Sequence, residues 1–162
     1  MNEPTPPAST LPRFDSPQQE AFLNLWRTYD RLRALEDALF SRFELSPQQY
    51  NVLRLLHGAH PKLIPTLAIA ERLISRSPDI TRIIDKLEQR EWIHRERPEY
   101  DRRTVLIGIT EEGLALLTSI HEPLHDCHMR QLGHLSSVEL SRLVELLSLA
   151  RTPHETDASN WK

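Results

Sequence analysis

A single cysteine, Cys127, stands among the 162 residues, so no disulfide can form within the chain and a reducing cytoplasm is the expected setting. No apolar run approaches the roughly 20 residues that a membrane helix needs, so neither a membrane span nor a membrane partner is expected. The opening MNEPTPPASTLPRF has no basic segment followed by an apolar core, and no secretory signal is expected there. A Gly-rich phosphate loop, a nucleophile elbow and an H-E-x-x-H pair are missing, and the carboxylates are scattered over helix faces rather than convergent. Neither an enzymatic activity nor a cofactor is therefore expected. Positive charge is not in excess either, since the net charge is −3. Its distribution matters more than its sum. Residues 72–103 hold nine Lys/Arg against seven Asp/Glu, which leaves the remainder of the chain at −5. Any nucleic acid would be gripped by a few placed arginines rather than by a broad basic field.

What is present is helical periodicity. Residues 1–15 carry four of the twelve prolines and no packing pattern, and read as a flexible arm. From Ser16-Pro17 a long helix begins, with Phe22, Leu25, Trp26, Tyr29, Leu32, Leu35, Leu39 and Phe43 at steps of three or four. Ser46-Pro47-Gln48-Gln49 is a capping-box start for a second helix, largely buried through Val52, Leu53 and Leu56 and expected to end at Gly58. Pro65-Thr66 opens a short helix that runs through Leu67, Ile69, Ala70 and Leu73. Farther on, Thr110 caps a helix with the stripe Leu114, Leu117, Ile120 and Leu124, which Pro123 is expected to kink or interrupt. After a turn at residues 132–135, Ser136-Ser137-Val138-Glu139 is a second capping box, leading into Leu140, Leu143, Val144, Leu146 and Leu147. The tail from about Arg151 is expected to fray.

The stretch from Ser75 to Thr110 reads differently. Ser77-Pro78-Asp79 is a helix start, with a capping Ser, a Pro suited to the first position and an acid at the positive end of the dipole. Ile80, Ile83, Ile84 and Leu87 make one apolar stripe, opposite Asp79, Arg82 and Lys86. Residues 92–97 and 104–109 are strand-like and flank the polar turn Pro98-Glu99-Tyr100-Asp101-Arg102-Arg103, so they should pair as a hairpin. Three helices joined by short turns and then a hairpin with two arginines at its tip form a winged helix-turn-helix pattern. The end helices carry more apolar stripe than this unit can cover, which predicts burial against a second copy in a symmetric homodimer. Two recognition helices about 34–36 Å apart would then meet successive major grooves on one side of B-DNA.

The expected fold is mainly α with a small β-hairpin wing: a winged helix-turn-helix flanked by N- and C-terminal dimerisation helices. In segments, it is a flexible arm (1–15), an N-terminal dimerisation helix (16–45), a DNA-binding lobe (46–110), C-terminal dimerisation helices (111–150) and a flexible tail (151–162).

From Phe22 to Leu147 the chain resembles the MarR family of bacterial transcription regulators. The most specific part is ITRIIDKLEQREWIHRERPEYDRRTVLIGITEEG. It contains a recognition-helix pattern at Thr81, Arg82, Ile83, Asp85, Leu87 and Glu88, a D-x-R wing at Asp101 and Arg103, and a strand-to-helix pattern at Ile109, Thr110 and Gly113. The helix LSPQQYNVLRLL is similar to the family's second helix. The resemblance implies a cytoplasmic homodimer that occupies a palindromic operator on double-stranded DNA as a repressor, released by a small aromatic or phenolic ligand. It also implies that Thr81, Arg82 and Lys86 face the major groove, that Arg102 or Arg103 enters the minor groove, and that Asp101 shapes the wing through an ion pair. Family members that sense peroxide through a thiol place a Cys near the start of the first helix, and this chain has none there.

Phosphate contacts are expected from Ser75, Arg76 and Arg95, with Ser77 at the helix N-terminus. Trp26, Tyr29 and Tyr50 are candidates for an effector pocket, because such pockets favour aromatics with a polar tip. His121, His125 and His128 stand at i, i+4 and i+7, a spacing at which imidazoles can share a Zn²⁺ ion. A zinc-responsive regulator on the same fold therefore remains open as an alternative, as does a winged-helix module that binds protein instead of DNA. Cys127 has no resolving partner and reads as a small buried hydrophobe.

Overall fold

The computed structural model describes residues 14–73, 79–99, 101 and 103–155. The chain divides into two compact units, residues 1–34 and residues 35–162. Helix α1 (Pro17–Ser41) begins in the first and ends in the second. Its start is held by Ser16, whose Oγ accepts the Gln19 N–H at 3.1 Å. Within the first unit, the rings of Phe22 and Trp26 lie tilted at 6.1 Å and the Arg33 guanidinium sits over Tyr29. Phe22, Leu25, Trp26 and Tyr29 are all exposed.

The second unit is built from α2 (Pro47–Ala59), α3 (Thr66–Arg72), α4 (Ile80–Gln89), α5 (Glu111–Leu132) and α6 (Ser137–Arg151). It also holds three short strands, β1 (Ile64–Pro65), β2 (Ile93–Glu96) and β3 (Leu106–Ile109). The capping boxes read from the sequence are formed: Ser46 with Gln49 on α2, and Ser136 with Glu139 on α6. Thr110 caps α5 through its Oγ1 and the Gly113 N–H. One core joins Leu39 and Phe40 of α1 to Val52, Leu53 and Leu56 of α2, Ile84 and Leu87 of α4, Ile107 of β3, and Ile120 and Cys127 of α5. Helix α6 buries no residue, and Val138, Val144 and Leu149 are exposed.

The structure departs from the sequence reading in several places. The sheet has three antiparallel strands in the order β1-β3-β2, not a bare hairpin. Strand β1 is two residues long and contains a proline, so it has no alternation to be read. Helix α2 continues through Gly58 to Ala59: Gly58 does not take the left-handed conformation of a cap, and the His60 N–H closes the helix on the Leu56 carbonyl at 2.9 Å. Helix α5 runs uninterrupted through Pro123. Helix α4 is capped by Asp79, whose carboxylate accepts the Arg82 N–H at 3.1 Å; Ser77, the expected cap, lies outside the described residues. Residues 152–154 form a 3-10 turn, and Arg151 Nε donates to Glu155 at 2.6 Å, so order persists past the expected fraying point. The rest of the expected tail, residues 156–162, and most of the expected arm, residues 1–13, lie outside the described residues.

Gly108 is required by its neighbours. It pairs with His94 across β2 and β3, and a side-chain carbon there would collide with the His94 ring and with Leu63.

Candidate nucleic-acid interface

The outer face of α4 is set by its apolar face. Ile84 and Leu87 are buried and Ile80 and Ile83 half-buried, which turns Thr81, Arg82, Asp85 and Lys86 to solvent. A solvated face of this kind ordinarily pairs its cations with its own acids. That pairing does not occur here. Asp79 is used in the cap, and Asp85 is bonded to Arg95 of β2. The side chains of Arg82 and Lys86 have no partner among the described residues. Two cations on one helix face, with no counter-ion among the described residues, can meet phosphates or base edges.

The wing is braced at its root and within its turn. The Thr66 N–H and Oγ1, at the start of α3, both donate to the Val105 carbonyl, at 3.1 and 3.2 Å. In the turn, Asp101 accepts the Thr104 hydroxyl at 2.6 Å and the Arg103 N–H at 3.0 Å. These two bonds, the Thr104 hydroxyl first, hold the Asp101 carboxyl below the usual carboxylate range. A depressed folded value means that the brace is complete above the ordinary carboxylate range and is lost as pH falls through that depressed value. The expected ion pair is thus replaced, among the described residues, by hydrogen bonds. A neighbouring hydroxyl and a backbone N–H fit the tight turn, and the Arg103 side chain stays exposed.

An open groove of about 670 Å³ separates the wing from α4 and the start of α3, and Thr81, Arg95, Arg97 and Arg103 line it. The sequence reading passed over Arg97. The signal was available in strand alternation, which places residues 93, 95 and 97 on one side of the β2 direction. Arg95, expected at the phosphates, is instead bonded to α4: Nη1 donates to Glu88 at 2.6 Å and Nη2 donates to Asp85. Ser75, Arg76, Ser77 and Arg102 lie outside the described residues.

A second groove, of about 710 Å³, lies between α2 and α5. Tyr50, Arg54 and His57 line one wall and His121, His125 and His128 the other, each set at i, i+4 and i+7. Burial pushes the Tyr50 phenol up, against a smaller lowering by Arg54. Of the three aromatics considered for an effector pocket, Tyr50 lines this groove; Trp26 and Tyr29 belong to the first unit, where they are exposed. The three imidazoles of α5 do not converge as metal ligands. His121 lies 3.4 Å from Glu122 and His128 lies 3.6 Å from Glu36, and among the described residues no group of three or more donors is disposed to hold a metal. Helical spacing placed them along one stripe, but a tetrahedral site also needs donors from a facing element at the same level.

Cys127 is fully buried, and burial pushes its thiol up, ahead of a lowering by Arg130. It is expected to resist an aromatic disulfide reagent in the native chain and to react fully once the chain is unfolded in denaturant. Stoichiometric labelling of the native chain at neutral pH would contradict that assignment. No helix among the described residues is long and apolar enough to cross a membrane.

Comparison with known proteins agrees with this geometry. The model of the MarR family matches residues 45–105, which hold α2 to α4, β2 and the turn of the wing. The transcriptional regulator PecS of Dickeya dadantii is 35% identical over 117 residues, covering 71% of this chain and 69% of PecS. A crystal structure of a MarR transcription factor from Planctomyces limnophilus shares 53% identity, covers 85% of this chain and 99% of its own, and superposes with a TM-score of 0.68. A mutant MarR from Escherichia coli complexed with operator DNA has the same fold, with a TM-score of 0.72 at 22% identity over 81% of this chain and 93% of its own. With Arg82 and Lys86 turned outward on α4 beside a braced wing, and with relatives of this identity and coverage, the chain belongs to the MarR family and is a DNA-binding transcription regulator, not an enzyme.

Proposed function

We propose that the chain acts in the cytoplasm as a homodimeric repressor that occupies a palindromic operator and leaves it when a small aromatic ligand binds. Thr81, Arg82 and Lys86 read the major groove, and Arg103 enters the adjacent minor groove. There the negative potential of a narrow A·T-rich segment suits an arginine presented on a hairpin. The observation that carries this reading is the absence of any acid partner for Arg82 and Lys86 among the described residues, on a helix where Asp79 and Asp85 are engaged elsewhere.

A second copy is called for by apolar surface. Val138, Val144 and Leu149 on α6 and Phe22, Trp26 and Tyr29 on α1 are exposed, more than a lone soluble chain ordinarily leaves uncovered. Burying each of these two patches against a second copy would give an obligate interface. For the ligand, the groove between α2 and α5 offers apolar walls at Leu114 and Leu117, with the Tyr50 hydroxyl and the Arg54 guanidinium as polar anchors. A ligand that binds better to a dimer with altered recognition-helix spacing shifts the population away from the operator-bound state.

The test is duplex binding. A palindrome selected from a random pool should bind two chains per duplex, with the logarithm of the binding constant falling steeply and linearly with the logarithm of salt concentration. Phenols and aromatic acids added to that complex should release it, and Arg54→Ala should blunt the release. A chain that stays monomeric in dilute solution, or that binds all duplexes alike, is incompatible with this function.

A further inference from the structure

We propose that Arg95 is a positioning residue, which sets the height of the wing against the recognition helix and leaves the duplex to its neighbours. This rests on the DNA-binding reading above and concerns how the two reading elements are kept in register.

Strand β2 alternates about the sheet. Ile93 is buried, so Arg95, two residues on, projects from the same face toward α4. Its guanidinium spans Asp85 and Glu88, which are three residues apart and therefore neighbours on one side of α4. Among the described residues this is the only side-chain hydrogen bonding between α4 and the strands of the wing. The other braces act elsewhere: Thr66 ties the wing root to α3, and Asp101 shapes the turn internally. Without Arg95, no side-chain hydrogen bond among the described residues fixes the separation of Thr81 on α4 from Arg103 on the wing, the two sides of the groove between them.

Charge argues against phosphate binding by the same residue. One guanidinium and two carboxylates leave the trio at a net −1, so an approaching phosphate meets no spare positive charge there. Both Nη groups of Arg95 are engaged with the acids, and swinging the guanidinium toward the duplex would leave Asp85 and Glu88 unpaired beside the phosphate backbone. Arg97 and Arg103, with no acid partner among the described residues, line the same groove and are better placed for that contact.

The two roles predict opposite signs for one substitution. Glu88→Gln removes a negative charge and loosens the hold on Arg95. If Arg95 positions the wing, the ratio of operator affinity to scrambled-duplex affinity should fall, by roughly tenfold. The preference for A·T over G·C at the wing-contacted step should flatten with it. If Arg95 contacts phosphate, Glu88→Gln frees it, and operator affinity should rise with the ratio intact. Arg95→Met keeps the side-chain stem and removes the charge. A positioning role leaves its salt slope equal to wild type, whereas loss of a phosphate contact lowers the slope by about 0.9.

The double variant Arg95→Met/Glu88→Gln should be no worse than Arg95→Met alone, because both break the same link. Thermal melts show whether Arg95→Met is folded, and Glu88→Gln carries the test if it is not. Raised operator affinity in Glu88→Gln, a lowered slope in folded Arg95→Met, or independent multiplication of the two losses overturns the proposal alone. A wild-type chain with no operator preference removes the underlying reading and this proposal with it.

Discussion

Gly113→Ala is expected to destabilise the winged lobe by about 3 kcal/mol, at the upper end of what overpacking a filled site ordinarily costs. Gly113 is the third residue of α5 and is buried. A side-chain carbon there would run into the backbone carbonyl of Trp92 and the side chain of Ile109. That carbonyl cannot turn aside, because it accepts the Thr110 N–H at 3.1 Å. The Thr110 hydroxyl also donates to Glu91 at 2.6 Å and accepts the Gly113 N–H, so the turn before β2 and the start of α5 are tied together. Alanine improves on glycine by about 1 kcal/mol inside a helix, and this gain is outweighed only if the collision is real. The melting temperature should fall by roughly 6–12 °C. An alanine variant as stable as wild type would show that the two turns can separate, and the account of this junction would have to be abandoned.

Arg82→Ala should do the converse, leaving stability nearly unchanged and damaging binding. The side chain is exposed and bonded to nothing among the described residues, so its removal should change the melting point little. Its backbone N–H still reaches Asp79, and the helix cap survives. On the selected operator the loss should be about 1–3 kcal/mol, concentrated at one base position, if the guanidinium reads a base edge. A uniform loss over all sequences, with a salt slope lower by about 0.9, would move Arg82 to the phosphates. Unchanged operator affinity would mean that another face of the lobe meets DNA. Comparing the two variants separates folding, tested at Gly113, from the proposed recognition, tested at Arg82.

The parts legible in the sequence are those decided within a few residues. The Ser46–Gln49 and Ser136–Glu139 caps, the Thr110 cap and the inward stripe of α4 all rest on contacts between residues three or four apart. The resemblance to the MarR family also lay in such a local string, from the recognition helix to the strand before α5. What chain order leaves undecided has a common cause. Strand β1 exists because β3, about 40 residues later, offers it an edge. Arginine near a wing is ordinarily expected at a phosphate, and only the packing of β2 against α4 brings Arg95 to Asp85 and Glu88. The histidines of α5 share a helical stripe, but only the fold shows that no group of three or more donors among the described residues is disposed to hold a metal.

The amino-acid sequence by itself determined where helices begin, which face of each is apolar, and that a helix bearing Arg82 and Lys86 opposite its apolar stripe precedes a turn with two arginines, because periodicity and capping act along the chain. Tertiary structure alone decided which cations remain free. Arg82 and Lys86 stay unpaired among the described residues because Asp79 is spent on a cap and Asp85 on a strand ten residues away. Whether a charge is available to a partner depends on every acid within reach in space, and chain order does not specify those distances.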